Sequence, residues 1–347
     1  MASEISVVIC AYTEKRWDDL VAAVESVQRQ TLSSKEIVVV IDHNPALLRR
    51  VQENLSGVIA IENGGDKGLS GARNSGWSTA QGEIVAFLDD DAIAEPDWLE
   101  NLVERYADLD VVGAGGKIVP LWETSRPIWF PEEFNWVIGS TYRGMPSKNA
   151  RIRNVIGANM SMRRDILAAV GGFRESFGCD KDTNTSRGTL KWFNHYAGDE
   201  ETEFCIRVSQ QLPGSVWLYA ASAVVQHRVS AERTRWAYFL WRCYDEGLGK
   251  ASLVKLHDAS TGLSSERAYT FKALPRGMAR GLADTFLRFD RTGVLRAGAI
   301  VVGLSITTVG YLIGSIYSPI ADFRSADLTY VRHHRTAEVS PPVKVQQ

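Results

Sequence analysis

The stretch Glu83-Ile84-Val85-Ala86-Phe87-Leu88-Asp89-Asp90-Asp91 decides how this chain is read. An apolar run with strand propensity leads into three consecutive carboxylates, and packing gives a strand no reason to end that way. Side chains alternate across a strand, so Asp89 and Asp91 are expected on one side and Asp90 on the other. An Asp-x-Asp pair at the carboxyl end of a strand sits where open α/β sheets place their ligands. Hard oxygen ligands that leave positions for water and phosphate suit Mg2+ or Mn2+ rather than zinc. Taken alone, the same run also fits an acidic strand-to-helix turn with Asp91 near a following helix end.

Outward from this stretch, short β-branched runs alternate with amphipathic ones. Strands are expected at 5–9, 37–41, 58–61, 84–88 and 111–114, and helices at 17–30, 46–55, 71–80 and 96–107, with Pro96 in the first turn of its helix. Strand-helix alternation means parallel pairing with helical crossovers, a doubly wound α/β fold. No Gly-x-Gly-x-x-Gly follows the first strand, and the glycines of 113–116 follow the wrong one, so a dinucleotide site is not expected.

The 347 residues are 45% apolar and 23% charged, ordinary for a globular enzyme. A net charge of -2 gives the whole molecule no attraction for nucleic acid. Cys10, Cys179, Cys205 and Cys243 are scattered without a Cys-x-x-Cys pair, which argues against a thiolate metal site and for reduced thiols in a cytoplasm. Met1-Ala2-Ser3-Glu4 runs straight into a strand, without the apolar core of an export signal.

After Lys117 the rhythm gives way to an aromatic segment with Trp122, Trp129, Phe130 and Trp136, rings that stack on sugars and equally fill cores. A helix starting near Arg163 is expected to stop at Gly171-Gly172. From Ala268 the tail changes character. Lys272, Arg276, Arg280, Arg288 and Arg291 interleave with large apolar residues, as in a cationic helix lying on an anionic bilayer, although Pro275, Gly277 and Gly281 weaken its helicity. Residues 297–317 carry no charge. Spanning a membrane, lying in its interface and packing as a buried helix are all open to them. Residues 336–347 are expected to be disordered.

Four segments, in order over about residues 3–229, resemble the family 2 glycosyltransferases, which have the GT-A fold and use nucleotide-diphosphate sugars. Val7-Val8-Ile9-Cys10-Ala11-Tyr12-Thr13-Glu14 is similar to the family's opening strand and loop, which implies that Ala11, Tyr12 and Glu14 cradle the nucleotide. Val38-Val39-Val40-Ile41-Asp42 resembles the strand whose aspartate recognises the base, though His43-Asn44-Pro45 replaces the usual continuation. Gly68-Leu69-Ser70-Gly71-Ala72-Arg73 resembles the donor-binding element before the Asp-x-Asp strand, with Gly68 and Arg73 toward the phosphates. By that resemblance Asp89 meets the sugar side of the donor, with Asp90 beside it, and Asp91 ligates the metal.

The fourth segment pairs Gly157-Ala158-Asn159 and Gly171-Gly172-Phe173 with Gly198-Asp199-Glu200-Glu201-Thr202-Glu203-Phe204-Cys205-Ile206-Arg207. Gly157 and Asn159, with Trp122, fall on the acceptor side. Aligned back from Arg207, the catalytic base is Glu201, with Glu200 and Asp199 as alternatives one and two residues away. Acidic residues at a helix start also simply oppose the helix dipole. His227 ends the segment Val224-Val225-Gln226-His227-Arg228, where the family often has a metal- or diphosphate-holding histidine; a lone histidine is as often structural.

The resemblance implies a GT-A type, doubly wound, mostly parallel sheet with a helical C-terminal extension. It places a catalytic domain at 1–230, with a nucleotide-sugar half at 1–116 and an acceptor half at 117–230; the residues beyond are expected to form a helical region at 231–335, with membrane association one of the readings open to its segment 268–317. The implied activity is inverting transfer from a nucleotide-diphosphate sugar, most often a UDP-sugar, to an acceptor hydroxyl. Asp91, Asp89 and His227 would hold Mg2+ or Mn2+, and the acceptor would be a lipid-linked or polysaccharide precursor at the inner face of the cell membrane. Rivals are a nucleotidyltransferase, which shares the acidic site but needs a triphosphate loop not seen after the first strand, and a silent nucleotide-sugar-binding membrane scaffold.

Overall fold

A computed structural model describes residues 4–177, 199–257 and 264–317. One sheet organises them, in the order β3-β2-β1-β4-β8-β6-β9-β5, with β7 also pairing β9. Strands β1 (Ile5–Ala11), β2 (Ile37–Ile41), β3 (Ile59–Glu62) and β4 (Ile84–Asp89) run parallel. Helices cover both faces of these strands, so they read as unbroken apolar runs rather than alternating ones. Every residue of β2 is buried, and in β1 only Cys10 is partly open.

The crossover helices are α1 (Trp17–Gln28), α2 (Pro45–Asn54) and α3 (Leu69–Thr79). Asn44 caps α2 by accepting from the Leu47 N–H, with Pro45 in the first turn where a missing N–H costs nothing. Helix α3 lies so close to the sheet that a Cβ on Gly76 would stand 2.3 Å from Val8. Helix α4 (Trp98–Val103) is shorter than expected and starts after Pro96, whose carbonyl instead accepts from the Thr31 N–H at 2.9 Å.

The second part of the sheet is antiparallel or mixed. Strand β8 (Asn159–Arg163) runs against both β4 and β6 (Val111–Trp122), and β6 runs parallel to β9 (Val216–Val229). Strand β6 passes unbroken through 116–117 but shifts register between Gly116 and Lys117, where the sequence rhythm changes. Short β7 (Ala150–Ile152) pairs with β9. Strand β5 (Ala92–Ala94) follows the aspartates at once and pairs Ala92 with His227 of β9. A strand, not a helix, therefore follows Asp91. Helix α5 (Arg164–Val170) stops at Gly171, φ +84, as the sequence predicts.

Beyond β9 the chain is helical: α6 (Glu200–Gln211) precedes it, and α7 (Trp236–His257), a short turn at Ser264–Ala268, and helices Leu274–Leu287 and Thr292–Tyr317 follow. Glycines set the spacing between α7 and the last helix. A Cβ on Gly247 of α7 would stand 2.2 Å from the Thr307 carbonyl, and one on Gly310 would stand 2.2 Å from that of Tyr244. Pro275 lies in the first turn of its helix, so it starts the helix rather than breaking it.

Thr292–Tyr317 is turned inside out relative to a soluble amphipathic helix. Gly303, Gly310 and Gly314 face the protein, while Val301, Val302, Val309, Leu312 and Ile316 face out. Residues Thr292–Ile316 are long and apolar enough to cross a membrane, and only 28% of that window is buried. The expected disordered tail at 336–347 and the polar loop from Cys179 lie outside the described residues.

Candidate active site

Three strand ends meet around the aspartates. Asp89 closes β4 beside Cys10 of β1, and pairing of Ala92 with His227 brings β9 alongside the turn at Asp90 and Asp91. Ligand atoms of Asp89, Asp91 and His227 lie within 4.8 Å of one another. His227 is set for this role: Nδ1 lies 3.2 Å from the Ile138 carbonyl, and Nε2 lies 2.9 Å from Asp91 Oδ1. A backbone partner on one ring nitrogen fixes the tautomer and aims the other. Gly139 leaves room for the ring, since a Cβ there would stand 2.9 Å from His227 Cε1. Two hard carboxylates and an imidazole fit Mg2+ or Mn2+ better than a soft-ligand metal.

The aspartates differ by environment. Arg16 lies 2.9 Å from Asp90 and 3.2 Å from Asp91, and Arg233 lies 3.7 Å from Asp91. Burial works to raise Asp91, but the His227 hydrogen bond and these cations outweigh it and hold the carboxyl below its usual range. Burial dominates at Asp90, pushing it to about 7 against Arg16, and one of its oxygens has no partner. The expected opposition of Asp90 to Asp89 and Asp91 holds only in part, because Arg16 draws Asp90 and Asp91 together.

Arg73 links this cluster to the second one. Buried in α3, it reaches Glu200 at 2.7 Å and Asp89 at 3.6 Å, and a Cβ on Gly157 would stand 2.6 Å from its guanidinium. Gly157 thus makes room for Arg73. The three acidic residues at the start of α6 fall into separate roles. Asp199, at φ +78, is held by Lys250 at 2.9 Å, and Glu200 by Arg73. Glu201 has no ion-pair partner among the described residues and lines a cleft of 440 Å³ with Trp136, Tyr142, Lys250 and Tyr269. Burial and the neighbouring Glu200 charge push its carboxyl up to about 8. Thr307, Thr308 and Tyr311 of the outward-apolar helix form another wall of this cleft.

On the donor side, Asp42 accepts from Asn63 at 2.6 Å and from the Gly68 N–H at 3.0 Å, and Gly68 takes φ +135. Ala11 is buried beside it, Tyr12 is 56% exposed, and Glu14 lies 3.7 Å from Arg50. Asn159 is reassigned. It is fully buried, accepts from Trp98 and donates to the Lys117 and Ala223 carbonyls, so it ties strands together and has no group left for an acceptor. Trp122 packs edge-on to Phe130 and is not part of the cleft lining, where Trp136 and Tyr269 stand instead. Sequence reading missed Arg16, Arg233 and Lys250. Arg16 follows the flagged opening loop by two residues, but nothing in the sequence links Lys250 to Asp199.

The description Glycosyl transferase family 2 matches residues 6–171. A glucosyl-dolichyl phosphate glucuronosyltransferase of Haloferax volcanii is 36% identical over 258 residues, covering 73% of this chain and 78% of that protein. The chain belongs to glycosyl transferase family 2. A UDP-Glc:alpha-D-GlcNAc-diphosphoundecaprenol beta-1,3-glucosyltransferase of Escherichia coli is 35% identical over 91 residues, 25% of this chain and 35% of that one. Among solved structures, a mannosyltransferase from Pyrobaculum calidifontis in complex with GDP-Man and Mn2+ matches with a TM-score of 0.54 over 89% of this chain and 88% of that one. At 16% identity it shares the fold, a GT-A type sheet with a helical C-terminal region.

Proposed function

We propose that this glycosyltransferase moves a sugar from a nucleotide-diphosphate sugar, preferentially a UDP-sugar, to a hydroxyl of a lipid-linked acceptor, with inversion at the anomeric carbon. The observation that carries this is the position of Glu201, the one acidic residue at the start of α6 without a described ion-pair partner, on the wall of a cleft formed with the outward-apolar helix.

Asp42 and the Gly68 turn would hold the nucleoside, with Tyr12 over it. Asp89, Asp91 and His227 would hold Mg2+ or Mn2+, which when bound neutralises charge growing on the departing diphosphate. Arg73 keeps Asp89 placed and brings a buried positive charge to the donor side. Glu201 takes the proton from the acceptor hydroxyl as that oxygen attacks the face opposite the nucleotide. A base with a raised proton affinity suits this step, because transfer is most efficient when its pKa lies near the working pH. Trp136, Tyr142 and Tyr269 offer faces for stacking on the acceptor sugar. The names of two relatives include a lipid-linked glycan, and here the cleft lies against the helix most suited to contact lipid. A polyprenyl-phosphate-linked sugar is therefore the acceptor we assign.

The test is incubation of the full chain with UDP-glucose or UDP-glucuronate, Mn2+ and polyprenyl-phosphate-linked glucose in vesicles, with the new linkage read by NMR. Transfer with inverted configuration is expected. A retained configuration, or no transfer to any lipid-linked acceptor while a soluble sugar is glycosylated, would contradict the assignment.

A further inference from the structure

A second cleft lies away from the carboxylate clusters, between the turn Glu132–Ile138 and the two last helices, and encloses 470 Å³. That is within the ~300–1,000 Å³ common for small-ligand sites. Five arginines line it: Arg126 and Arg143 from the aromatic segment, Arg280 from the helix Leu274–Leu287, and Arg288 and Arg296 from either side of the hairpin that follows. Carboxylates face them but are shared. Glu132 serves both Arg126 and Arg143, and Asp284 serves both Arg288 and Arg296. Arg280 takes Glu133, and Asp290 adds a second partner for Arg296.

A guanidinium carries five N–H donors in a planar fork that matches phosphate oxygens. The side chains of Arg143 and Arg288 are 45% and 79% exposed, so two forks remain open to an anion. Between Glu266 and Arg296 the sequence carries seven basic residues against three acidic ones, which makes the surroundings positive as well. Beside the cleft, the hairpin tip exposes Phe286, Leu287 and Phe289 by 73%, 78% and 86%. Phe289 takes φ +55, a conformation bulky residues rarely adopt, to stand in solvent. Exposed aromatic rings beside arginines are the composition of a segment that sits at the headgroup layer.

We propose that this cleft seats the phosphate of an anionic membrane lipid, with the hairpin tip inserted beside it. The proposal rests on the membrane contact assigned above but not on the transfer reaction. The site would fix the height and tilt of the protein on the bilayer, and so the approach of the acceptor cleft.

The test compares the full chain with Arg143→Gln/Arg288→Gln, a pair chosen because Glu132 keeps Arg126 and Asp284 keeps Arg296. A control, Lys272→Gln/Arg276→Gln, removes two exposed charges outside the cleft. Flotation with phosphatidylcholine vesicles, with and without phosphatidylglycerol, gives the gain in binding due to anionic lipid. The cleft variant is expected to lose about tenfold more of that gain than the control, with its melting temperature and its binding to neutral vesicles unchanged. Equal losses in the two variants would mean diffuse charge attraction and would overturn the site. Calorimetric binding of inorganic phosphate to the cleft, with vesicle binding indifferent to phosphatidylglycerol, would make it a free-phosphate site and overturn the lipid assignment. Failure to bind any vesicle would remove the membrane contact itself.

Discussion

Glu201 and Asp91 stand at opposite ends of the carboxylate range, and the difference follows from their partners. Asp91 is buried among His227, Arg16 and Arg233, which hold its carboxyl in the ionised form that the proposed metal role requires. Its substitution tests that role: in Asp91→Asn the rise in melting temperature that Mn2+ plus a UDP-sugar gives the parent should vanish, because stabilisation by a ligand follows its affinity for the native state. A rise equal to the parent's would exclude Asp91 from the metal site. Glu201 has burial and Glu200 against its charge, and its proton leaves only near pH 8. A folded-state pKa above the unfolded value contributes stability that is complete below the unfolded pKa and lost as pH rises through the folded one. Glu201→Gln, always neutral, should therefore match the parent in melting temperature near pH 4 and exceed it by roughly 2–4 °C at pH 9, a shift of about 1 kcal/mol. A variant that melts lower at pH 9 would place Glu201 in a stabilising ion pair instead.

At the scale of elements, close glycine contacts couple α7 to the last helix, and α7 carries Lys250 to Asp199, two residues before Glu201. Gly247→Val should cost ~1–3 kcal/mol by overpacking against the Thr307 carbonyl. It should also lower kcat more than it weakens donor binding, since the donor residues lie on other elements. Loss of donor affinity with kcat intact would show that the helices do not position the base.

Much of this was legible in the sequence. The short apolar runs and the helical ones between them place β1 to β4 and their crossovers within a few residues, because β1, β2 and β4 are buried on both faces and their apolar pattern is unbroken. Of the long strands only the start of β6 and the end of β9, at Val224–Arg228, were legible; in β6 Gly113, Gly115 and Gly116 lower strand propensity where neighbouring groups leave no space for a Cβ. The short β5 has only three residues and owes its existence to pairing with β9. Asn159 was placed on the acceptor side because residue type shows what a side chain can bind, not whether neighbouring backbone and Trp98 have already claimed it. Lys250 was invisible because its link to Asp199 crosses 51 residues of chain, while the neighbour the sequence does show, Glu246 one helical turn away, reads as an ordinary helix pair.

For the whole molecule, a nearly neutral chain displays, among the described residues, an apolar face on its last helix and an arginine-rich cleft between its C-terminal helices and the aromatic segment. The outward stripe Val301, Val309 and Leu312 accounts for the orientation assigned to the acceptor cleft. Val301→Lys/Val309→Lys should keep the fold, because both positions are exposed, and reduce flotation with neutral vesicles severalfold. Unchanged flotation would place that stripe in water.

The central claim is that Glu201 is the base serving a donor held beside Asp89 and Asp91. Its most direct test is turnover and donor affinity measured together for Glu201→Gln, with Glu200→Gln alongside, under saturating Mn2+. Glu201→Gln is expected to bind the UDP-sugar as the parent does and to turn over roughly a hundredfold or more slowly, the scale of a lost general base. Glu200→Gln, which frees Arg73, should instead weaken donor binding. A Glu201→Gln enzyme within about threefold of the parent, beside a Glu200→Gln enzyme that binds donor normally yet fails to turn over, would contradict the account.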